Sequence, residues 1–338
     1  MPTRHTAAPT WSGNLWRMRM AKIFLLALAA AVAVTASAAP TEVARGVFLV
    51  RGEFVPGHQP DGNSVLFTAP KGLIVFDTGR HRQHTQLLID FAAQRKTPLT
   101  DIINSHWHLD HTGGNLLLRE RFPEVRIHAS GAINDALGGF LANYADQLKE
   151  AIAKSPAGSD EVPGWQDELK LIASGDKLAP DDVIVSSAPR RIAGRTLDVH
   201  LEKNVVTAGD IWIFDPSTKV LVAGDLVTLP FPFLDTACPA HWKEALHRLG
   251  KVKFRLLIPG HGSPMIPAAF STYRNAFDRL LECSASTETV AACSEGWIAD
   301  AGDLLEAKDH DSAGKLAGYY IENVLRAPAE QTTKLCGE

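Results

Sequence analysis

The twelve residues Asn104-Ser105-His106-Trp107-His108-Leu109-Asp110-His111-Thr112-Gly113-Gly114-Asn115 constrain this chain more than any other stretch. Three imidazoles and a carboxylate fall within six residues, spaced H-x-H-x-D-H. The run Leu99 to Asn104 reads as a strand leading in, and Gly113-Gly114 as the turn leading out to Leu116-Leu117-Leu118. Alternate side chains of an extended segment share a face, so His106 and His108 point the same way and can grip one metal ion. Asp110 and His111 are adjacent, diverge from that pair and can serve a second ion. Neutral imidazole and carboxylate ligands suit zinc, with iron or manganese as weaker alternatives.

The first residues are read as lying outside the fold. Arg17, Arg19 and Lys22 precede an apolar run from Ile23 to Val34, and Ala36-Ser37-Ala38 follows as a small-x-small cleavage site. That is the layout of a secretory signal peptide over residues 1–38, with a mature N-terminus expected at Ala39 and a periplasmic or secreted location. The apolar run is too short to span a bilayer, so no membrane attachment is expected after cleavage. Residues 1–38 carry four basic side chains and no acid, so their removal takes the formal charge from −4 to −8. An acidic chain without a basic run excludes nucleic acid and anionic membranes as expected partners and leaves a small-molecule substrate.

The four cysteines, Cys238, Cys283, Cys293 and Cys336, all lie in the C-terminal part, away from the histidines and without a C-x-x-C pair. Export permits disulfides. Cys283 and Cys293 bracket a short polar loop between two helical patterns, Phe270 to Leu281 and Ala291 to Ala299, which predicts a bridge between them. Cys238 with Cys336 follows only by elimination.

From Val43 onward short apolar or β-branched runs alternate with Gly, Pro and Asn turns: Gly46 to Val50, Ser64 to Thr68 and Leu73 to Phe76, the last closed by Asp77-Thr78-Gly79. An amphipathic helix is predicted over His84 to Arg95, then a helix over Asn115 to Arg121 and a strand over Val125 to His128. A helical insert occupies about 131–175, with one long helix over Ile133 to Ala153, a loop over Gly158 to Gly164 and a helix over Trp165 to Ile172. Its position suggests a lid beside the site. Strands resume at Val183 to Ser186, Arg190 to Ile192, Thr196 to His200, Val205-Val206, Ile211 to Phe214 and Lys219 to Val222. A helix over Pro239 to Leu249 and a strand over Leu256 to Ile258 complete the core. Strands dominating both halves with helices between them predict an α/β (α+β) arrangement of two sheets covered by helices.

Two later turns supply further ligand types. Ala223-Gly224-Asp225 ends an apolar strand with a carboxylate, and Pro259-Gly260-His261-Gly262 ends another with an imidazole. Taken with Asp77-Thr78-Gly79 and the H-x-H-x-D-H loop, in that order, these pieces resemble the metallo-β-lactamase superfamily from about Val43 to Pro267. The resemblance implies the four-layer αββα sandwich over residues 39–267, with 268–338 as a C-terminal helical extension. It further implies that His106 and His108 belong to one ion position, that Asp110, His111 and His261 belong to a second, and that Asp225 bridges both. The family motif H-T-x-G-D is here Val206-Thr207-Ala208-Gly209-Asp210, with valine where the third imidazole of the first position stands. The expectation is one zinc ion held firmly at the second position and another bound weakly.

The chemistry so implied is water-dependent hydrolysis of an ester, thioester, lactone or lactam, with Asp110 as the catalytic residue that orients the water or takes its proton. The alternative is a degenerate, non-catalytic metal-binding or interaction protein that keeps the fold. Asp77 is read as a carboxylate orienting a ligand imidazole, and Trp107 as packing or a pocket wall. His81 and His84 are read as helix-start or rim residues, His241 and His247 as solvated, and His58 as a residue that lines the mouth. His200, six residues before Val206 and roughly 20 Å away along an extended strand, cannot substitute for the missing imidazole.

Overall fold

A computed structural model describes residues 39–54 and 59–337. The predicted signal segment and His58 lie outside the described residues.

The first sheet has seven strands in sequential order: β1 (Thr41–Ala44), β2 (Val47–Val50), β3 (Ser64–Ala69), β4 (Gly72–Phe76), β5 (Leu99–Ile103), β6 (Arg126–Ala129) and β7 (Asp182–Val183). The hairpins β1 to β4 are antiparallel and β4 to β7 parallel. The second sheet runs β12 (Leu256–His261), β11 (Val220–Thr228), β10 (Asp210–Asp215), β9 (Arg195–Glu202), β8 (Ala188–Ile192). Only β11 and β12 are parallel in it.

The alternation of side chains sorts these apolar strands into layers. In β4, Ile74 and Phe76 face the second sheet, where they meet Ile213, Val222 and Ile258. Leu73 and Val75 face the other way, onto Leu88, Ile89 and Phe91 of α1 (Arg82–Gln94). Every β4 residue is buried because both faces of the sheet are covered. In β11, Val220 and Val222 enter the intersheet core, whereas Leu221 and Ala223 pack on α7 (Pro239–Leu249) and α8 (Pro267–Ser284), with Trp242, Tyr273 and Phe277. The result is helix, sheet, sheet, helix. Two short helices, α2 (Leu109–Thr112) and α3 (Asn115–Arg121), lie between β5 and β6. The C-terminal segment adds α9 (Val290–Ala301), α10 (His310–Tyr320) and α11 (Ala329–Cys336).

Three local expectations differ. The long insert helix is two helices, α4 (Ala132–Gly138) and α5 (Phe140–Lys154), because Gly139 adopts φ −117° and ψ −99° between them. The third insert helix, α6 (Val162–Ala173), starts inside the predicted 158–164 loop: Pro163 sits in its first turn, where its missing N–H costs nothing. Val205-Val206 is not a strand. It belongs to a loop gathered around Asp210, whose carboxylate accepts from Val206 N, Thr207 N and Thr207 Oγ1. The insert carries its own apolar cluster, in which Ile133, Leu141, Leu148, Leu171 and Ile172 pack with Trp107 and Leu109 of the histidine loop.

Both cysteine pairs are bonded, Cys283 to Cys293 and Cys238 to Cys336. Among the described residues no helix is long and apolar enough to cross a membrane.

Candidate metal centre

The C-terminal ends of β5, β11 and β12 converge, and each delivers ligand-type side chains. β5 runs out into His106 and His108, and the single turn of α2 then presents Asp110 and His111 on its first residues. β11 contributes Asp225 beside Gly224 (φ 54°), and β12 ends on His261. A Cβ on Gly260 would lie 1.9 Å from Asp225 Oδ1, so only glycine allows the β12 end to approach that carboxylate. His261 is held by Asn63, whose side-chain amide donates to the carbonyls of Pro259 (3.0 Å) and Gly262 (2.9 Å).

Two groups of donor atoms result, each gathered within 4.8 Å: Asp110, His111, Asp225 and His261, and His106, His108 and Asp225. In the first, His111 Nε2 lies 3.1 Å from Asp225 Oδ1 and 3.4 Å from Asp110 Oδ2, while His261 Nε2 lies 2.9 Å from Asp110 Oδ2 and 3.5 Å from Asp225 Oδ1. Donors bonded tetrahedrally to one zinc ion at about 2.0–2.1 Å stand about 3.3 Å apart. The spacing of this group matches that figure. The second group is looser, with His106 Nε2 3.9 Å from Asp225 Oδ2, and among the described residues no fourth histidine, cysteine or carboxylate joins it.

The hydrogen bonding leaves the right atoms bare. Asp77 Oδ2 accepts from His111 Nδ1 (2.8 Å) and from Ser105 Oγ (2.7 Å). Ser105 Oγ in turn accepts from His106 Nδ1 at 2.8 Å. His106 Nε2, His111 Nε2, His261 Nε2 and both Asp225 oxygens are buried without a hydrogen-bond partner. Five orphaned polar atoms converging in one place are costly unless a cation satisfies them, so these residues fit a metal ion. His108 differs: its Nε2 donates to Thr236 Oγ1 (3.2 Å), which donates to the Val206 carbonyl (2.8 Å), leaving Nδ1 as its free nitrogen. The valine position is thus one hydroxyl away from His108, and its own side chain is buried and apolar.

Electrostatics separate the two groups. Burial holds His106 well below the usual histidine range and His108 down to about 4, so both are neutral bases at pH 7. Burial opposes charge on His111 as well, but Asp225, Asp110 and Asp77 around it outweigh burial and raise its pKa well above the ordinary value. Burial also works against ionised Asp110, and His111 and His261 override it to hold the carboxyl well below its usual range.

The other sequence candidates fall elsewhere. His200 stacks on Trp212 at 3.7 Å in the second sheet. His84 bonds Ser64 Oγ, His81 pairs with Asp61, His241 donates to the Asn204 carbonyl, and His247 meets Asp278. Trp107 packs edge-on against His108 and at a tilt against Phe140 of the insert, within the buried apolar cluster of the insert. Ser105 and Thr236, which fix the tautomers of His106 and His108, escaped the sequence reading. Ser105 stands next to a ligand-type histidine, whereas Thr236 is 128 residues from His108 and carries no local signal.

The family model of the metallo-beta-lactamase superfamily matches residues 59–283. A linear primary-alkylsulfatase of Pseudomonas sp. is 24% identical over 219 residues, covering 59% of this chain and 41% of that protein. Hydroxyacylglutathione hydrolase 1 of Vibrio vulnificus is 26% identical over 146 residues, 43% of this chain and 56% of that protein. The chain therefore spans less than two thirds of either relative. Among solved structures, a metallo-beta-lactamase from Pontibacter korlensis superposes with a TM-score of 0.51 at 20% identity, over 71% of this chain and 98% of that one, a likeness of fold. With the family model matched across two layered sheets and the converging strand ends, the chain belongs to the metallo-beta-lactamase superfamily.

Proposed function

We propose that this protein is an exported zinc-dependent hydrolase that cleaves an ester, thioester, lactone or lactam bond of a small molecule. The observation that carries this reading is the convergence of orphaned donor atoms of His111, Asp225 and His261, beside the Asp110 carboxylate, at zinc-like spacing. These four residues would hold one ion firmly; His106, His108 and Asp225 would hold a second weakly. A bound divalent ion supplies Lewis acidity toward a substrate oxygen and makes water nucleophilic at neutral pH. Asp110 is the catalytic residue: its carboxylate, kept ionised by its neighbours, orients the attacking water and accepts its proton. Neutral His106 and His108 offer lone pairs on the opposite side. The relatives include an alkylsulfatase and a hydroxyacylglutathione hydrolase by name, which supports ester-like substrates and leaves the bond open.

Aromatic side chains border the centre. Phe233 stands edge-on 5.9 Å from His261, and Phe140, 46% exposed, packs on Trp107 beside His108. A substrate with an apolar acyl or alkyl part suits these walls. Export is supported by two disulfides and by the signal pattern of residues 1–38.

The valine at 206 favours one other reading, a metal-binding protein without catalysis. Metal content and hydrolysis are measured on one preparation, with nitrophenyl esters, thioesters, lactones, a chromogenic lactam and alkyl sulfates. The expected result is turnover of at least one class, lost on chelation and restored by zinc. Zinc-loaded protein inert across the panel would establish the non-catalytic reading.

A further inference from the structure

Arg80 follows the Asp77-Thr78-Gly79 turn, and its side chain is only 11% exposed. The guanidinium stands between two carboxylates from separate parts of the fold. Nη2 lies 3.8 Å from Asp110 Oδ1, and Nη1 donates to Glu168 Oε1 of α6. The other Glu168 oxygen accepts from the Tyr144 hydroxyl of α5. The base of the arm is fixed, since Arg80 N donates to Asp61 Oδ1 at 2.6 Å and a Cβ on Gly113 would lie 2.9 Å from Arg80 Cα. Glu168 is buried in an insert whose other buried side chains are apolar. A buried carboxylate there is costly unless it answers a charge.

We propose that the helical insert sets the affinity of the four-ligand ion position through Arg80, with Glu168 neutralising the guanidinium so that it orients Asp110 without competing with the ion. This rests on the metal centre of the functional reading above. A buried positive charge a few ångströms from a cation position repels the cation by kcal/mol amounts at the effective dielectric of protein sites. Glu168 offsets that repulsion and draws Nη1 toward α6. Without the Glu168 charge, the acid left facing Arg80 is Asp110, the carboxylate the ion requires. Arg80 and Glu168 are positioning residues; the insert is then an electrostatic support of the centre as well as a wall.

Zinc affinity of metal-stripped full-length protein, read by chelator competition, tests this by sign. Glu168→Gln is expected to weaken the tight zinc on the order of tenfold or more, and Arg80→Gln to tighten it by a comparable factor. The Arg80→Gln/Glu168→Gln pair should return close to the native value. A role limited to packing weakens all three variants, and that pattern overturns the proposal, as does unchanged affinity in the two single variants. Should Glu168→Gln fail to fold, Arg80→Gln decides alone: tighter zinc supports the proposal, and equal or weaker zinc overturns it. Native protein that binds no zinc removes the functional reading together with this inference. Native protein that loses zinc on His261→Ala but is indifferent to the charge variants removes this inference alone.

Discussion

Asp77 Oδ2 lies 2.8 Å from His111 Nδ1, and the same oxygen takes the Ser105 hydroxyl that faces His106 Nδ1. One buried carboxylate therefore turns two imidazoles so that both present Nε2 to the centre. Asp77 sits at φ 58°, a left-handed value unusual for a residue with a side chain, and this bend carries the carboxylate under the histidine loop.

Asp77→Asn should accordingly act on metal binding more than on the fold. The amide nitrogen must take either the Oδ1 place, facing the Ser105 N–H, or the Oδ2 place, facing Ser105 Oγ and His111 Nδ1, so at least one hydrogen bond is lost and the charge behind His111 goes with it. Zinc affinity is expected to fall about 10–100-fold, the usual effect of removing a carboxylate behind a ligand imidazole. Competition titration checks this beside thermal melts. A variant with native zinc affinity would show that the tautomers are set elsewhere.

How far the sequence spoke can be seen from these same residues. The ligand-type residues were legible because His106, His108, Asp110 and His111 crowd into six positions after an apolar strand, and Asp225 and His261 each end an apolar strand beside glycine, local signals that survive without tertiary knowledge. Asp77 was legible because it closes an apolar strand at the Asp77-Thr78-Gly79 turn. Arg80 with Glu168, 88 residues apart, and His108 with Thr236, 128 apart, pair only after the chain has folded, and no spacing rule reaches them. The layers were legible from the short apolar strand runs between turns, while the break at Gly139 and the non-strand Val205-Val206 were not. The apolar pair at 205–206 matches a strand pattern, but the Asp210 carboxylate collects the backbone N–H groups of 206 and 207 and bends the chain away from a ladder.

In metal-free protein His111 is surrounded by Asp225, Asp110 and Asp77, which raise its pKa well above the ordinary histidine value despite its burial. A raised folded-state pKa gives stability that is fully present below the unfolded value of about 6.5 and lost as pH rises through the folded value. Metal-free protein should therefore lose stability as pH rises above neutrality through that titration. Zinc needs the neutral ring, so its apparent affinity should rise over the same interval, and loading near pH 7 should release a proton. Chemical denaturation of metal-free protein and calorimetric zinc titration in buffers of different ionisation heat measure the two trends. Trends of the same sign would contradict the protonation state assigned to His111.

The two disulfides should differ in weight. Cys283–Cys293 closes 10 residues, and Cys238–Cys336 closes 98. Loop-closure entropy gives about 2.7 and about 4.7 kcal/mol respectively. Cys238 N also donates to the Val205 carbonyl at 2.8 Å, and the Asn204 side chain donates to the Cys336 carbonyl at 3.3 Å, so the longer bridge fastens the C-terminal helix to the loop carrying Val206. Cys336→Ser is expected to destabilise more than Cys293→Ser and to speed hydrogen exchange at residues 204–209. Equal losses, with the loop still protected, would place the anchoring elsewhere.

Val206→His is the most direct probe of the looser group. The Val206 carbonyl is linked to His108 through the Thr236 hydroxyl, and His108 belongs to the second group, which has three donors and, among the described residues, lacks a fourth. A four-ligand structural zinc site yields about 10–16 kcal/mol, so one added imidazole is worth roughly 3 kcal/mol, or about a hundredfold in affinity. Against this stands the enlargement of a side chain that is 1% exposed, which costs about 1–3 kcal/mol before metal arrives. The metal-free variant should therefore melt below the native protein, while the zinc-loaded variant recovers much of the difference. After dialysis against a weak chelator the native protein should keep one zinc and the variant two, and hydrolysis should rise if the second ion had been limiting. His261→Ala should remove the zinc that the native protein keeps, and His106→Ala should leave it. Native protein that keeps two ions under those conditions would mean that His106, His108 and Asp225 are completed by a ligand other than a side chain at 206, and Val206→His would then add nothing.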